Sequence, residues 1–243
     1  MVRSVLFFPS GREQLYGSLY AAERPSSRTA LILCPSWGHE MAELVELSHA
    51  LARGMATLGG AGFVFHPPGH GDSTGELDRI GMSDLVEGAE AAARTAGAVA
   101  PGFVWALAGI RLGASVAALA AARGSSSLVA LIQPLLDPTA YFDELRRFSR
   151  RLSPGGEPGE PPVVFGHPLS PDPAQGVVQE DVRRALDAVD GPSVVVHCEG
   201  SPPHLSVRSG ELVTVPGRWR HPHRRRDLVA LVDATLGWVR EAA

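Results

Sequence analysis

The sequence contains no lysine and no asparagine, so arginine accounts for all 22 of its Lys and Arg residues. This usage fits a coding bias toward GC-rich codons better than a selected function, and it suggests a high-GC bacterial source. The formal net charge is −4, and arginine is concentrated only locally, near 146–151 and 218–226. Because no overall basic excess would attract a phosphate backbone, we do not expect nucleic acid as a partner.

Cysteines and long apolar runs are also scarce. The two cysteines, Cys34 and Cys198, lie far apart in apolar, strand-like segments, which excludes a disulfide framework and favours buried thiols over one disulfide. No run approaches the roughly 18 apolar residues of a membrane span. The apolar stretch at the N-terminus is too short for a signal peptide. We therefore expect a cytoplasmic protein without a membrane span.

Strand-like and helix-like segments alternate along the 243 residues. Short apolar runs bounded by Gly, Pro or Ser predict eight strands, at 5–8, 15–20, 29–34, 62–65, 103–109, 128–133, 193–198 and 211–215. Apolar residues spaced three and four apart predict helices at about 40–58, 83–96, 114–123, 179–188 and 225–240. The first two strands are expected to form a hairpin. The later alternation predicts a single α/β domain over 1–243, with a mostly parallel central sheet flanked by helices.

One segment interrupts this alternation. Residues 153–162 read Ser-Pro-Gly-Gly-Glu-Pro-Gly-Glu-Pro-Pro, which is too rich in Pro and Gly for a helix or a central strand and predicts a mobile loop. The preceding residues, 141–151, predict an amphipathic helix whose charges are most simply a solvated face. Residues 137–162 are therefore predicted to form a short excursion between two strands of the sheet.

The most informative segment is 103–122, where an apolar strand passes directly into an alanine-rich helix. Gly109 and Gly113 flank Arg111 at the junction, which is the layout of a nucleophile elbow. In such an elbow the glycines make room for a sharp turn that directs the middle residue into a pocket. A serine there would attack a carbonyl after losing its proton to a histidine. Arginine cannot, because its guanidinium stays protonated and has no usable lone pair.

At this elbow the chain resembles the α/β-hydrolase superfamily, and the likeness covers nearly the whole sequence. Residues 29–41 look like the strand and loop that supply one oxyanion-hole amide in that family. Residues 65–76 resemble its turn Asp-x-x-Gly-x-Gly-x-Ser-x-Gly, with His66 in place of the aspartate. The resemblance implies an α/β-hydrolase fold in which the excursion at 137–162 occupies the place of a lid. It implies no cofactor.

Three short stretches are similar to a narrower group. The residues at 109–114 and 133–137 and the pair Glu40 and Met41 resemble hydrolase-like proteins associated with bacterial exosortase systems. Those relatives also carry arginine at the elbow. The resemblance implies a bacterial exopolysaccharide or natural-product pathway.

The other members of a hydrolase triad are incomplete. In the family the acid follows a late strand and the histidine precedes the last helix, which places the histidine at His221 or His223, although a solvated basic loop explains that segment nearly as well. Prolines stand where the family usually has its aspartate, which leaves Glu199 or, one strand earlier, Asp137. With Arg111 at the nucleophile position, we expect the standard triad to be absent.

Three other residues are candidates for the nucleophile. Ser36 lies in the loop that resembles the oxyanion loop and could reach the cavity. Ser115 is one helical turn beyond Arg111, where its hydroxyl is expected to bond a backbone carbonyl. Cys34 is expected to be a buried, unactivated thiol.

Arg111 suits the binding of an anion. Backbone amides of the Ser36–Trp37 region and of Leu112 are expected to point into its pocket, beside the positive end of the helix that begins there. A planar guanidinium fits a carboxylate or a phosphate. The ligand-binding residues predicted with it are Ser36, Trp37, Glu40, Leu112 and Ser115. Alternatively, Arg111 pairs internally with Glu40, Asp137 or Glu199 and plugs the former active site.

Three functional hypotheses follow. The first is a degenerate hydrolase that binds an anionic acyl or carbohydrate-linked small molecule through Arg111. The second is an active ester or thioester hydrolase, or an acyl-transfer or cyclisation enzyme, that uses a non-standard nucleophile or a histidine-activated water. The third is a protein-interaction scaffold. The histidine spacing matches no metal-ligand pattern, and both a monomer and a homodimer stay open.

Overall fold

A computed structural model of the protein describes residues 1–152, 161–199, 210–216 and 225–242. Its strands are β1 (Val2–Ser10), β2 (Glu13–Ala21), β3 (Thr29–Cys34), β4 (Ala61–Phe65), β5 (Val104–Ile110), β6 (Val129–Ile132), β7 (Val163–Val164), β8 (His167–Pro168), β9 (Ser193–Cys198) and β10 (Gly210–Val215). Eight of them form one sheet in the order β1-β2-β4-β3-β5-β6-β9-β10. β2 pairs antiparallel with β1 and β4, and the other neighbours pair parallel. The predicted hairpin and mostly parallel sheet are confirmed, and the small β7–β8 pair was not predicted.

The helices are α1 (His39–Glu43), α2 (Val45–Thr57), α3 (Met82–Val99), α4 (Gly113–Ala120), α5 (Pro138–Leu152), α6 (Gln179–Asp187) and α7 (Arg225–Ala242). The single helix predicted over 40–58 is wrong in one respect, because the chain breaks at Leu44 (φ −102°, ψ 8°) into α1 and α2. The helix predicted over 114–123 continues past α4 as a π-helical turn that ends near Gly124, whose φ is 89°.

The burial of the central strands shows that helices cover the sheet on both faces. All six residues of β3 are buried, as expected for a strand of a parallel sheet with helices on each side. Successive side chains point to opposite faces. Ile32 and Leu107 pack in the core on the side of α3 and α4, whereas Leu31 and Leu33 pack in the core on the side of α2 and α7.

The parallel strands bring three loops to one edge of the sheet. Cys34 pairs with Gly109, and Ile110 pairs with Ile132, so the chain segments that follow β3, β5 and β6 leave the sheet side by side. α5 follows β6 and contacts β7. This edge is where ligands bind in open α/β sheets.

The structure also bears on the cysteines and on the predicted absence of a membrane span. Both cysteines are buried, Cys34 in β3 and Cys198 in β9, and they do not form a disulfide. Among the helices that the structure describes, none is long and apolar enough to cross a membrane. Most of the predicted loop at 153–162 lies outside the described residues.

Candidate ligand site at the elbow

Two close backbone contacts shape the turn between β5 and α4. A Cβ added to Gly109 would lie 2.2 Å from the Gly113 carbonyl oxygen, and one added to Gly113 would lie 2.0 Å from the Cys34 carbonyl oxygen. Real Cβ atoms do not approach so closely, so both positions require glycine. Arg111 between them has a φ of 57°, a left-handed conformation that is uncommon for residues other than glycine. The predicted sharp elbow is therefore present, with arginine at its apex.

The backbone of Arg111 is held on both sides. Its N–H donates to the Ile132 carbonyl at 3.0 Å, and its carbonyl accepts from the N–H groups of Ala114 at 3.0 Å and Leu135 at 3.1 Å. These bonds connect the elbow to the end of β6 and to the segment that leads into α5. The strained apex is thus fixed by its surroundings, as a pre-organised site requires.

The guanidinium of Arg111 faces the Glu40 carboxylate. Its Nε and Nη2 atoms lie 3.4 Å from Oε1 of Glu40, and its Nη1 lies 3.5 Å from the Gln133 carbonyl oxygen. The other oxygen of Glu40, Oε2, accepts a hydrogen bond of 2.6 Å from the Ser36 hydroxyl. Ser36, Glu40 and Arg111 therefore form one polar chain from the loop after β3 to the elbow.

The guanidinium lies on the wall of a cavity of about 630 Å³. Three arginines and two glutamates contribute charge to the wall, and the rest is mostly apolar or aromatic. The lining residues are His39, Glu40, Arg111, Leu135, Ala140, Tyr141, Glu144, Leu145, Arg147, Phe148, Arg151 and Phe165. Seven of these twelve lie on α5, so this helix forms one side of the cavity.

Tyr141 brings a buried hydroxyl close to the same charges. Tyr141 is 8% exposed. Its hydroxyl has no partner at full hydrogen-bond geometry among the described residues, but it interacts with the nearby Glu40 carboxylate. Burial and, secondarily, the Glu40 carboxylate raise the pKa of Tyr141. The group is therefore a protonated phenol that can donate a hydrogen bond to a ligand. Sequence reasoning did not select Tyr141, although its place on the apolar stripe of an amphipathic helix was visible.

A buried histidine braces the loop after β3. The Gly38 N–H donates to Nε2 of His70 at 2.9 Å, and Nδ1 of His70 donates to the Pro68 carbonyl at 2.8 Å. Burial lowers the pKa of His70 to about 4, so the ring is neutral near pH 7 and its two nitrogens keep these donor and acceptor roles. His70 thus ties the loop that carries Ser36 to the turn after β4.

Three solved structures are similar to this chain over almost their whole length. A soluble variant of monoglyceride lipase from Saccharomyces cerevisiae, solved with a substrate analog, matches with a TM-score of 0.69 and 13% identity, covering 100% of this chain and 96% of that chain. Est1E from Butyrivibrio proteoclasticus, solved with ferulic acid bound, matches with a TM-score of 0.66 and 18% identity over 98% of both chains. An α/β serine hydrolase without lid from Xanthomonas campestris matches with a TM-score of 0.64 and 18% identity, covering 98% and 94%.

The chain has the α/β-hydrolase fold. The prediction of this fold is confirmed, and identities this low show the fold alone. No protein-family model matches the sequence, and no curated protein resembles it significantly. The narrower likeness to exosortase-associated proteins stays a prediction.

Within this fold, the predicted ligand-binding residues surround the elbow but differ in their access to the cavity. Glu40 lines it. Ser36, Trp37 and Leu112 are almost completely buried beside it, and they line a much smaller internal cavity of about 10 Å³. Ser115 is fully buried, and its hydroxyl donates to the Leu135 carbonyl at 2.6 Å. A bond to a backbone carbonyl was predicted, but its partner after β6 was not.

The candidate catalytic acids are not brought to the cavity. Oδ1 of Asp137 accepts a hydrogen bond from the Ala140 N–H at 2.9 Å, at the start of α5, and Asp137 lines a neighbouring depression instead. Glu199 is exposed just after β9. His221 and His223 lie outside the described residues. Within the described part of the chain, no group of three His, Cys, Asp or Glu residues could hold a metal ion.

Proposed function

We propose that this protein is a degenerate member of the hydrolase fold that binds an anionic acyl or carbohydrate-linked small molecule through Arg111. The observation that carries the proposal is the position of Arg111 at the apex of the elbow, with its guanidinium on the cavity wall. A catalytic serine of this fold would occupy that place. The resemblance found in the sequence adds the expectation of an accessory role in a bacterial exopolysaccharide or natural-product pathway.

The charges around the cavity favour an anionic ligand. Three arginines face two glutamates on its wall. The elbow also lies at the N-terminal end of α4 (Gly113–Ala120), where the helix dipole favours negative charge. A guanidinium in a partly enclosed pocket binds a carboxylate or phosphate through paired N–H donors.

The contact between Arg111 and Glu40 is long enough for Arg111 to bind a ligand as well. Charge-assisted N–H···O bonds are usually about 2.7–2.9 Å long, whereas both contacts to Glu40 are 3.4 Å. The side chains of Arg111 and Glu40 are 21% and 16% exposed, so the pair borders the cavity instead of being sealed beneath it. A ligand carboxylate can therefore approach the guanidinium while Glu40 limits the cost of its burial.

The test is thermal unfolding with decanoate as the probe. At a ligand concentration of about 100 times Kd, binding should stabilise the protein by about 2.7 kcal/mol. For a domain of this size the melting temperature should then rise by about 5–10 °C. Arg111→Gln should abolish the rise, whereas Arg123→Gln, which removes an exposed arginine that does not line the cavity, should retain it. The proposal is wrong if the wild type shows no shift or if Arg111→Gln shifts as much as the wild type.

One observation favours the second candidate, an ester or thioester hydrolase. The Ser36 hydroxyl donates to Glu40 at 2.6 Å, which is the geometry of a nucleophile beside a base. Ser36 is 2% exposed, however, and does not line the large cavity. Mass spectrometry after treatment with a fluorophosphonate, with peptide mapping of any adduct, separates the candidates. An adduct on Ser36 that disappears in Ser36→Ala would support the enzyme, and an unlabelled protein would support the binding protein.

A further inference from the structure

The polar and charged groups on the α5 side of the cavity lie at two levels, that is, at two positions along the helix axis. The lining residues Tyr141, Glu144, Leu145, Phe148 and Arg151 recur every three or four positions along α5, so they form one stripe of the helix. Tyr141 is at the level of the elbow, because its hydroxyl lies close to the charges of Glu40 and Arg111. With a rise of 1.5 Å per residue, the level of Arg147 and Arg151 is on the order of 12 Å further along the helix axis.

Arg147 and Arg151 form a second cationic centre at that far level. They are four residues apart, so their side chains are neighbours on the helix surface. Among the described residues neither forms an ion pair, whereas the adjacent Arg146 pairs with Asp143 at 3.0 Å. Two like charges at this spacing disfavour each other. An anion bound between them would remove that cost.

The wall between the two centres is apolar, with one acidic group. Leu145 is buried, and the rings of Phe148 and Phe165 pack with their centroids 5.2 Å apart. Phe165 is 58% exposed and has a left-handed φ of 49°, an uncommon conformation for a bulky residue. The carboxylate of Glu144 lies on the same stripe, between Tyr141 and Arg147. It would repel negative charge in the middle of a ligand.

From this arrangement we propose that the ligand is a two-headed anion, with an acidic group at each end of an apolar chain or ring. One head binds to Arg111 and accepts a hydrogen bond from the Tyr141 hydroxyl. The other head binds between Arg147 and Arg151, and the apolar middle packs on Leu145, Phe148 and Phe165. The buried Tyr141 hydroxyl supports the inner subsite, because it lacks a well-formed hydrogen bond among the described residues and a buried polar group is normally hydrogen-bonded. The inference rests on the proposed function of Arg111 and adds the chemical class of the ligand.

Isothermal titration calorimetry with two probes of equal length tests the second subsite. Decanoate has one carboxylate, and sebacate has one at each end of the same chain. For the wild type, sebacate should bind roughly fivefold to tenfold more tightly than decanoate, which is the gain expected from ion pairs at a partly exposed site. The double variant Arg147→Gln/Arg151→Gln should bind both probes with the affinity that the wild type has for decanoate. Arg150→Gln is the matched control, because it removes an exposed arginine of α5 that does not line the cavity; it should preserve the preference.

The outcomes separate this inference from the function on which it rests. If decanoate binds in an Arg111-dependent manner but sebacate binds no more tightly, the two-headed ligand is refuted and the anion site at the elbow stands. The same holds if the preference for sebacate survives in the double variant. If Arg111→Gln binds decanoate as well as the wild type does, or if neither probe binds, both proposals fail.

Discussion

Replacing Gly113 by alanine should destabilise the protein strongly, because the new methyl group has no space. It would lie 2.0 Å from the Cys34 carbonyl oxygen and 2.5 Å from the Pro35 carbonyl oxygen. Both atoms belong to the backbone and cannot rotate away as a side chain would. Overpacking typically costs about 1–3 kcal/mol, and the upper end applies here. At about 2–4 °C per kcal/mol for a domain of this size, the melting temperature should fall by about 6–12 °C.

Gly97→Ala provides the matched control for this measurement. Gly97 is exposed within α3, and a Cβ added there meets nothing within 4 Å. Alanine is better than glycine inside a helix by about 1 kcal/mol, so this variant should be slightly more stable than the wild type. Both variants are compared by thermal unfolding followed by circular dichroism. A Gly113→Ala protein as stable as the wild type would refute the close packing of the elbow against β3.

Four further results are expected. Arg111→Ser should remain inactive toward p-nitrophenyl acetate, because neither candidate acid lines the cavity; a burst of p-nitrophenol would contradict the described geometry. Burial lowers the pKa of His70 from 6.5 in the unfolded chain to about 4 in the folded protein. The neutral, buried ring therefore contributes stability on the order of 3 kcal/mol. This contribution is complete above pH 6.5 and is lost as the pH falls to 4. His70→Gln should therefore flatten the dependence of urea midpoints on pH in that interval. Ser115→Ala should cost about 0.5–1.5 kcal/mol in urea unfolding, since the hydrogen bond to the half-buried Leu135 carbonyl is lost. Cys34 should resist iodoacetamide in the native protein, because burial raises the pKa of its thiol to about 12.

Much of the fold could be predicted because its signals are local. Apolar runs such as 29–34 and 193–198 are buried on both faces, so burial and strand length coincide in the sequence. Gly109 and Gly113 predicted the elbow, because the need for glycine there arises within a few residues of Arg111. The break at Leu44 was missed, since the residues before and after it continue the same apolar spacing. The β7–β8 pair, with two residues in each strand, is too short to leave a pattern.

The site could be predicted only in part, because the residues that contact Arg111 come from distant segments of the chain. The sequence offered Glu40, Asp137 and Glu199 as partners of Arg111, and only the tertiary packing decides that Glu40 is the neighbour. The sequence predicts a solvated charged face for α5, and Arg147 and Arg151 are indeed exposed, but it does not reveal that both also border the cavity. The helical pattern shows which residues share a face of the helix. It does not show what that face covers.

The most direct test of the central claim is a crystal structure of the protein with decanoate bound. We expect the decanoate carboxylate to lie within hydrogen-bond distance of the Arg111 guanidinium at the elbow, with the acyl chain running along α5 toward Phe148. A carboxylate bound away from Arg111, with the Arg111–Glu40 contact unchanged, would contradict the claim that the arginine at the elbow is an anion anchor.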